Sequence, residues 1–284
     1  MCDTCGCNVT SGNAHLLEPG AKLNRTDSGR ESLSVLKTLL TENDTQAVHN
    51  REHFDRRAIL AVNLMSSPGA GKTALLEVTI DALADEFRVA VIEGDLETEN
   101  DAERIRLRGV PAVQITTGTA CHLDAHMVHD ALHQLHLDDL DIVFIENVGN
   151  LVCPASFDLG QHRNIVLLSV PEGDDKPAKY PVMFRAADLV LLTKADLLPL
   201  LDDFQPERAL QCVRELASDA PLFQTTVRSG TGIEEWLTWL RREVAAQRER
   251  CTRGESVRPA GKTEGAAPHG AVPARPDHHP HSHS

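Results

Sequence analysis

The segment that most constrains this chain is Ser66-Ser67-Pro68-Gly69-Ala70-Gly71-Lys72-Thr73. It follows an apolar run, Ile59 to Met65, broken only by Asn63, and it opens a stretch of helical patterning, Thr73 to Glu86. A glycine-rich turn between a buried strand and a helix lets backbone N–H groups close around phosphate oxygens, and the helix N-terminus favours negative charge. In that context Pro68, Gly69, Ala70, Gly71, Lys72 and Thr73 are candidate phosphate-binding residues. Lys72 is expected to reach the outer phosphates, and Thr73 to place its hydroxyl on Mg²⁺. The general pattern has glycine at its first position, where this chain has Ser66. The bland alternative is a glycine-rich turn that binds nothing.

Further short apolar runs follow at Val89 to Ile92, Ala112 to Ile115, Ile142 to Ile145, Ile165 to Val170 and Leu189 to Leu192, with helical patterns between several of them. Buried strands alternating with helices predict an α/β domain with a mostly parallel, doubly wound sheet. A helix is expected over Glu31 to Leu40, where Leu33, Leu36, Leu39 and Leu40 recur at helical spacing, and an amphipathic one over Ile233 to Gln247. The layout is then an N-terminal motif and linker (1–30), the α/β domain (31–250) and a Gly-, Pro-, Ala- and His-rich tail (251–284) that is too polar to fold alone. The net charge of −14 argues against a general binder of nucleic acid or anionic membrane. No apolar run approaches the roughly 20 residues needed to span a bilayer. The start, Met-Cys-Asp-Thr-Cys, does not read as a signal peptide. A cytoplasmic location is expected, where thiols stay reduced and seven cysteines point to metal or redox chemistry instead of disulfides.

After the run ending at Leu192 comes Thr193-Lys194-Ala195-Asp196, which resembles the Asn-Lys-x-Asp element of GTPases with Thr in place of Asn. A carboxylate there accepts hydrogen bonds from the guanine ring N–H and exocyclic amine, donors that adenine lacks, so a buried Asp196 is expected to select GTP and GDP. The alternative is a polar loop after a strand. Arg228 to Gly232 matches a last base-contacting loop only loosely. Glu93-Gly94-Asp95 and Glu146-Asn147-Val148-Gly149 should both end strands at the carboxyl edge of the sheet, where ligands bind in such folds. Asp95 and Glu146 are candidates for the Mg²⁺ shell, Asp95 also for orienting an attacking water, unless they are ordinary loop or capping carboxylates.

Cysteine and histidine clusters add a second chemistry. Cys2-x-x-Cys5-x-Cys7 is compact enough for three thiolates to reach one Ni²⁺ or Zn²⁺ ion, unless it is a reactive, unligated tail. Cys121-His122, with Cys153 some thirty residues on, is expected on the same sheet edge as the phosphates, although a lone buried Cys is usually only a small hydrophobe. His122, His126, His129, His133 and His136 fall on one side of a predicted helix opposite an apolar face. That stripe is either a solvated polar face or a row of weak metal sites. The tail carries His269, His278, His279, His281 and His283, suited to weak metal buffering.

As an ordered set these segments, with Glu-Gly-Asp-Leu-Glu-Thr-Glu-Asn-Asp-Ala from Glu93 and Glu-Gly-Asp-Asp-Lys-Pro-Ala-Lys-Tyr-Pro from Glu172, resemble the family of hydrogenase nickel-incorporation GTPases. The likeness covers about residues 32–247 and the first seven. It implies a P-loop GTPase that hydrolyses GTP slowly, dimerises with GTP or metal, and works with nickel-handling helper proteins on the large-subunit precursor of a [NiFe]-hydrogenase. It also implies a tight nickel site on Cys2, Cys5 and Cys7 and a weaker nickel or zinc site on Cys121, His122 and Cys153, near a dimer interface. In that family Ser at the first loop position is usual. Two rivals remain: a urease-type nickel-insertion GTPase, against which the Cys2 motif and Asp174-Asp175-Lys176-Pro177 argue, and a nickel-storage protein, which the histidines motivate.

Overall fold

The computed structural model describes residues 30–95, 100–118, 120–216 and 218–260, with backbone only over 30–38 and at 100. Cys2, Cys5, Cys7 and the tail histidines lie outside the described residues.

Seven strands, β1 (Leu60–Ser66), β2 (Val89–Asp95), β3 (Ala112–Thr116), β4 (Ile142–Glu146), β5 (Arg163–Ser169), β6 (Leu189–Thr193) and β7 (Leu222–Gln224), form one sheet in the order β3-β2-β4-β1-β5-β6-β7. Every ladder is parallel. The chain winds outward from β1 in both directions, so the crevice at the carboxyl end of β1 is the switch point at which such sheets bind ligands. The first six strands fall where the apolar runs predicted them. The short, half-exposed β7 was not anticipated, because three residues at a sheet edge carry little hydrophobic signal.

Both faces of the sheet are covered, which is why the strands read as continuous apolar runs. Along β1, Leu60, Val62 and Leu64 face α2 (Lys72–Leu83) and α8 (Ile233–Thr252), while Ala61 faces α1 (Arg30–Asp55) and α4 (Ala125–Leu132). Helix α3 (Asn100–Arg106) packs by β3, and α5 (Lys176–Lys179), α6 (Pro181–Arg185) and α7 (Pro206–Glu215) cover β5 and β6. The fully buried Trp236 of α8 donates from Nε1 to Thr79 Oγ1 of α2 at 2.9 Å, which satisfies the indole where water is excluded.

Two helices exceed the sequence expectation. Helix α1 runs to Asp55, fifteen residues past Leu40, because its contacts with the body are partly polar and escape an apolar pattern. Asn43 Nδ2 donates to the Asp158 carbonyl at 2.8 Å, and Arg51 forms a buried 2.6 Å ion pair with Asp158. Gly160, at φ +95°, permits the approach: a Cβ there would lie 2.6 Å from Asn50 Cβ and 2.8 Å from the Ala47 carbonyl. Helix α8 runs to Thr252, and the disorder expected from residue 251 is not found over 251–260. There Ser256 Oγ donates to Asp55 Oδ2 at 2.5 Å, Pro259 is buried, and Ala260 N donates to Asp188 Oδ1 at 3.1 Å. Among the described residues no helix is long and apolar enough to cross a membrane.

Candidate nucleotide and metal site

The phosphate loop sits at the end of β1. Gly69 and Gly71 have φ of +74° and +100°, a left-handed region that would strain any side chain, so these positions need glycine for the loop to curl. Lys72 and Thr73 open α2 and are both buried. Lys72 Nζ donates to Ser66 Oγ at 3.1 Å and lies 3.9 Å from Glu146 Oε1. Ser66 thus supplies a hydroxyl where glycine would leave Lys72 without that acceptor.

Thr73 Oγ1 donates to Glu146 Oε1 at 2.9 Å. Beside it the sheet register sets Glu93 of β2 directly against Glu146 of β4. Both carboxyls are buried, and one oxygen of each, Glu93 Oε2 and Glu146 Oε2, has no hydrogen-bond partner among the described residues. Burial, then the adjacent Glu146, pushes Glu93 far above the usual carboxylate range. Burial also raises Glu146, with Lys72 opposing. Two carboxyls so close cannot both ionise without a cation. Hard oxygens, one hydroxyl and two unsatisfied buried acceptors at the phosphate loop suit Mg²⁺. Glu93 was not singled out from the sequence. Its signal was available: an acidic residue inside an otherwise apolar strand.

Asp95 closes β2 at the same edge, half-exposed, and its carbonyl accepts from Thr117 N at 2.9 Å and from the Thr117 hydroxyl at 3.2 Å. Residues 96–99 lie outside the described residues. The base loop is tied to the phosphate loop: Thr193 Oγ1 donates to the Ala70 carbonyl at 2.7 Å, and Lys194 Nζ to the Gly69 carbonyl at 2.8 Å. Asp196 departs from expectation. It is exposed, not buried, and its Oδ1 accepts from Thr226 Oγ1 at 2.7 Å. An exposed carboxylate keeps contact with water, which costs less than burial. Thr226 lies just before the loosely matched Arg228–Gly232 loop and bonds to it: Thr226 N donates to the Thr231 carbonyl at 3.0 Å.

The Cys-His-Cys set assembles as the sequence suggested. Cys121 Sγ is 3.2 Å from Cys153 Sγ and 3.9 Å from His122 Nδ1, and one ligand atom from each residue lies within 4.8 Å of the other two. Both thiols are half-exposed, while His122 is wholly buried and stacks on Phe157 with ring centroids 4.0 Å apart. Burial lowers His122 to about 4, so the ring is neutral near pH 7, the form that ligates.

The histidine stripe does not survive as one face. Helix α4 begins at Ala125, capped by Asp124 Oδ1 accepting from Met127 N at 2.8 Å, and ends at Leu132. His122 precedes it in the metal loop, and His136 follows it, exposed. The apolar half of the pattern is correct, since Met127, Val128, Ala131 and Leu132 are core. His129 instead meets two histidines of α1, His49 and His53, that the stripe did not include, while His133 packs edge-on to His129. Burial, then the neighbouring imidazoles, holds His53 and His129 below the ordinary range.

A continuous path joins the phosphate loop to the thiols. Asn147 follows Glu146 in chain, and its Oδ1 accepts from Leu123 N at 3.2 Å, one residue past His122. Asn147 Nδ2 donates to Asn63 Oδ1 at 3.3 Å, which gives the buried amide inside β1 a partner. On the same loop, a Cβ on Gly149 would lie 2.9 Å from Pro68 Cα, so the segment leading to Cys153 rests on the phosphate loop.

The doubly wound sheet with this loop at its switch point defines a GTP-binding P-loop protein. The nucleotide-binding domain profile of the CobW/HypB/UreG family matches residues 60–224, and the chain belongs to that family. It is 51% identical over 219 residues to the hydrogenase maturation factor HypB of Escherichia coli K12, covering 77% of this chain and 75% of that protein. With HypB of Azotobacter vinelandii it shares 53% over 213 residues, 74% and 69% of the two chains. The crystal structure of HypB from Helicobacter pylori in complex with nickel superposes with a TM-score of 0.69 at 41% identity, over 76% of this chain and 97% of that one. The resemblance drawn from the ordered motifs therefore holds.

Proposed function

We propose that this chain is a GTP-hydrolysing nickel metallochaperone that delivers nickel for assembly of the [NiFe]-hydrogenase active site. The observation that carries this reading is the path from Thr73 through Glu146 and Asn147 to Leu123 and His122, which puts phosphate sensing and metal ligation on one set of strand ends. The similarity to hydrogenase maturation factors, one crystallised with nickel, supports the choice of metal and client.

In this reading the loop Pro68–Thr73 and the Lys72 ammonium hold the phosphates, Thr193, Lys194 and Asp196 take the guanine, and Asp95 orients a water. Thr73 and Glu146 are the residues that would hold Mg²⁺, which would supply positive charge to offset that of the phosphates. Water attacks the γ-phosphorus, the bond to the β-bridging oxygen breaks, and GDP and phosphate leave. Hydrolysis is slow and acts as a timer. Loss of the γ-phosphate releases the Glu146–Gly149 and Asp95 segments, and Asn147 and Gly149 pass that movement to Cys121, His122 and Cys153. Cys2, Cys5 and Cys7 form the tighter nickel site. The protein works in the cytoplasm as a homodimer, with nickel-handling helper proteins, on the hydrogenase large-subunit precursor.

The test is a Ni²⁺ titration against a competing chelator on protein loaded with GDP and with a non-hydrolysable GTP analogue. The thiolate-to-nickel absorption of the Cys121–His122–Cys153 site should report a different affinity in the two states, and nickel should shift nucleotide affinity by the same factor. Equal affinities would sink nucleotide-controlled release and favour a nickel store.

A further inference from the structure

Helix α1 carries His49 and His53 at i, i+4, and His129 of α4, itself paired at i, i+4 with His133 at the helix C-cap, faces them. On α1, His49 Nε2 and His53 Nε2 are 3.1 Å apart, and so are Nε2 of His129, on α4, and Nε2 of His133, its C-cap. The ring of His129 lies 5.2 Å from that of His49 and 5.8 Å from that of His53. One nitrogen from each of His49, His53 and His129 falls within 4.8 Å of the other two. We propose that His49, His53 and His129 form a further metal site, separate from the thiol cluster, for one borderline divalent ion of the Ni²⁺ and Zn²⁺ class.

The spacing fits such an ion. With metal–nitrogen bonds of about 2.0–2.1 Å, neighbouring ligand nitrogens in tetrahedral or octahedral geometry stand about 2.9–3.4 Å apart. The His49–His53 contact already meets that value, and rotation of those two rings toward the fixed His129 closes the cross-helix gap. The all-imidazole set suits nickel, zinc and copper and disfavours magnesium and calcium.

The second observation is a fixed tautomer. Asn50 Nδ2 donates to the carbonyls of Ala125, at 2.7 Å, and Leu159, at 3.1 Å. Both amide hydrogens are therefore spent on carbonyls, and Oδ1 must be the acceptor. That oxygen is 3.1 Å from His129 Nδ1, so Nδ1 carries the hydrogen and Nε2 keeps its lone pair. Metal-bound histidines are typically held this way, by an acceptor on the far nitrogen. Asn50 is wholly buried, so it can lock the ring of His129 in a single orientation.

The mounting is rigid. Asn43, Asn50 and Arg51 bind α1 to the body through buried contacts, and Asn43 Oδ1 accepts from Ala125 N at the start of α4 at 2.9 Å. A cleft of about 250 Å³, lined by His53, His129, His133 and His136 among others, opens beside the rings and admits a hydrated ion. Arg57, also on the cleft wall, is engaged by Asp138 and the His53 carbonyl.

The experiment uses the full chain. Bound nickel and zinc are counted by mass spectrometry after equilibrium dialysis, for the parent protein and for H49A/H129A, with H49Q alone as a milder change at an exposed position. The thiolate-to-nickel band is recorded on the same samples. The double variant should lose one equivalent of Ni²⁺, of Zn²⁺ or of both with the band unchanged, and H49Q should weaken that equivalent about tenfold or more. Which metal is lost assigns the occupant. Unchanged stoichiometry for both metals overturns the proposal, and so does a loss accompanied by fading of the thiolate band, because the change would then belong to the thiol site.

Discussion

One helix, α4, joins two ligand sets of opposite character. Before its first turn lie Cys121 and His122, on a loop that touches the strand ends beside the phosphate loop. On its last turn lies His129, with His133 at the C-cap, against a helix clamped to the body by buried amides. The first set has two polarisable sulfurs and a buried ring, and its neighbours, Asn147 and Gly149, contact the segments that would sense the γ-phosphate. The second has only nitrogen, is half-open to water, and is oriented by Asn50, whose amide is held by the Ala125 and Leu159 carbonyls. The difference is one of coupling. A metal site mounted on switch-edge loops can be changed by nucleotide; one mounted between packed helices responds to metal concentration alone. The contrast makes sense of two clusters in one protein if one releases on cue and the other holds.

The sharpest way to break the contrast is to remove the nucleotide's grip. Lys72→Ala deletes the ammonium at the outer phosphates. GTP turnover should fall about 10²–10³-fold, the scale for losing one preorganised donor at developing charge. Nickel at the loop set should then ignore added nucleotide, while the helical set is unchanged. A Lys72→Ala protein whose loop affinity still follows GTP would place the coupling elsewhere.

Next in size is Cys153→Ala. Loss of even an outer-shell partner costs about 10–100-fold in metal affinity, so loss of a thiolate ligand should cost at least about 100-fold at the loop set. The part of the thiolate-to-nickel band that belongs to the loop set should disappear, leaving that of Cys2, Cys5 and Cys7, and the helical histidines should still retain their equivalent in dialysis. If both populations vanish together, the two sets are one site.

Asn147→Ala tests the path itself. The substitution leaves Leu123 N without its acceptor and Asn63 without its donor, a stability cost of about 1–3 kcal/mol by denaturant melt. Allosteric coupling is typically about 5–150-fold in affinity, and that ratio between GDP and GTP-analogue states should collapse toward one at the loop set. Hydrolysis should persist, since Thr73 and Glu146 keep their contact. A variant with intact coupling would remove the amide from the path and leave Gly149 against Pro68 as its carrier.

How visible each region is in the amino-acid sequence follows from the same contrast. The strands, the phosphate loop and the Cys121–His122–Cys153 set are carried by short runs and adjacent residues, so pattern alone places them. Helix α1 beyond Leu40 is not, because Asn43, Asn50 and Arg51 are buried through hydrogen bonds and read as surface residues. The pair Glu93–Glu146 depends on register between strands some fifty residues apart in chain. His49 and His53 lie about eighty residues from His129, and only the packing of α1 on α4 brings them together. The five-residue stripe misled for a related reason: a helical periodicity does not say where the helix stops, and α4 stops at Leu132.

The smallest effect expected is electrostatic and belongs to the helical set. Arg57 sits on the cleft wall, its Nε 2.6 Å from Asp138 Oδ1, and adds a positive charge near His53. Both partners are substantially exposed, so solvent screens them and the pair contributes little to folding. A cation entering the cleft nonetheless meets that charge. Arg57→Ala removes it and frees the Asp138 carboxylate, so the affinity of the helical set should rise about two- to fivefold at low ionic strength. Since the Debye length falls to about 3 Å at 1 M salt, the gain should be largely erased there. The loop set, whose ligands do not line this cleft, should show no change at either salt concentration. An equal gain at both sets would mean that net charge, not local placement, governs metal uptake.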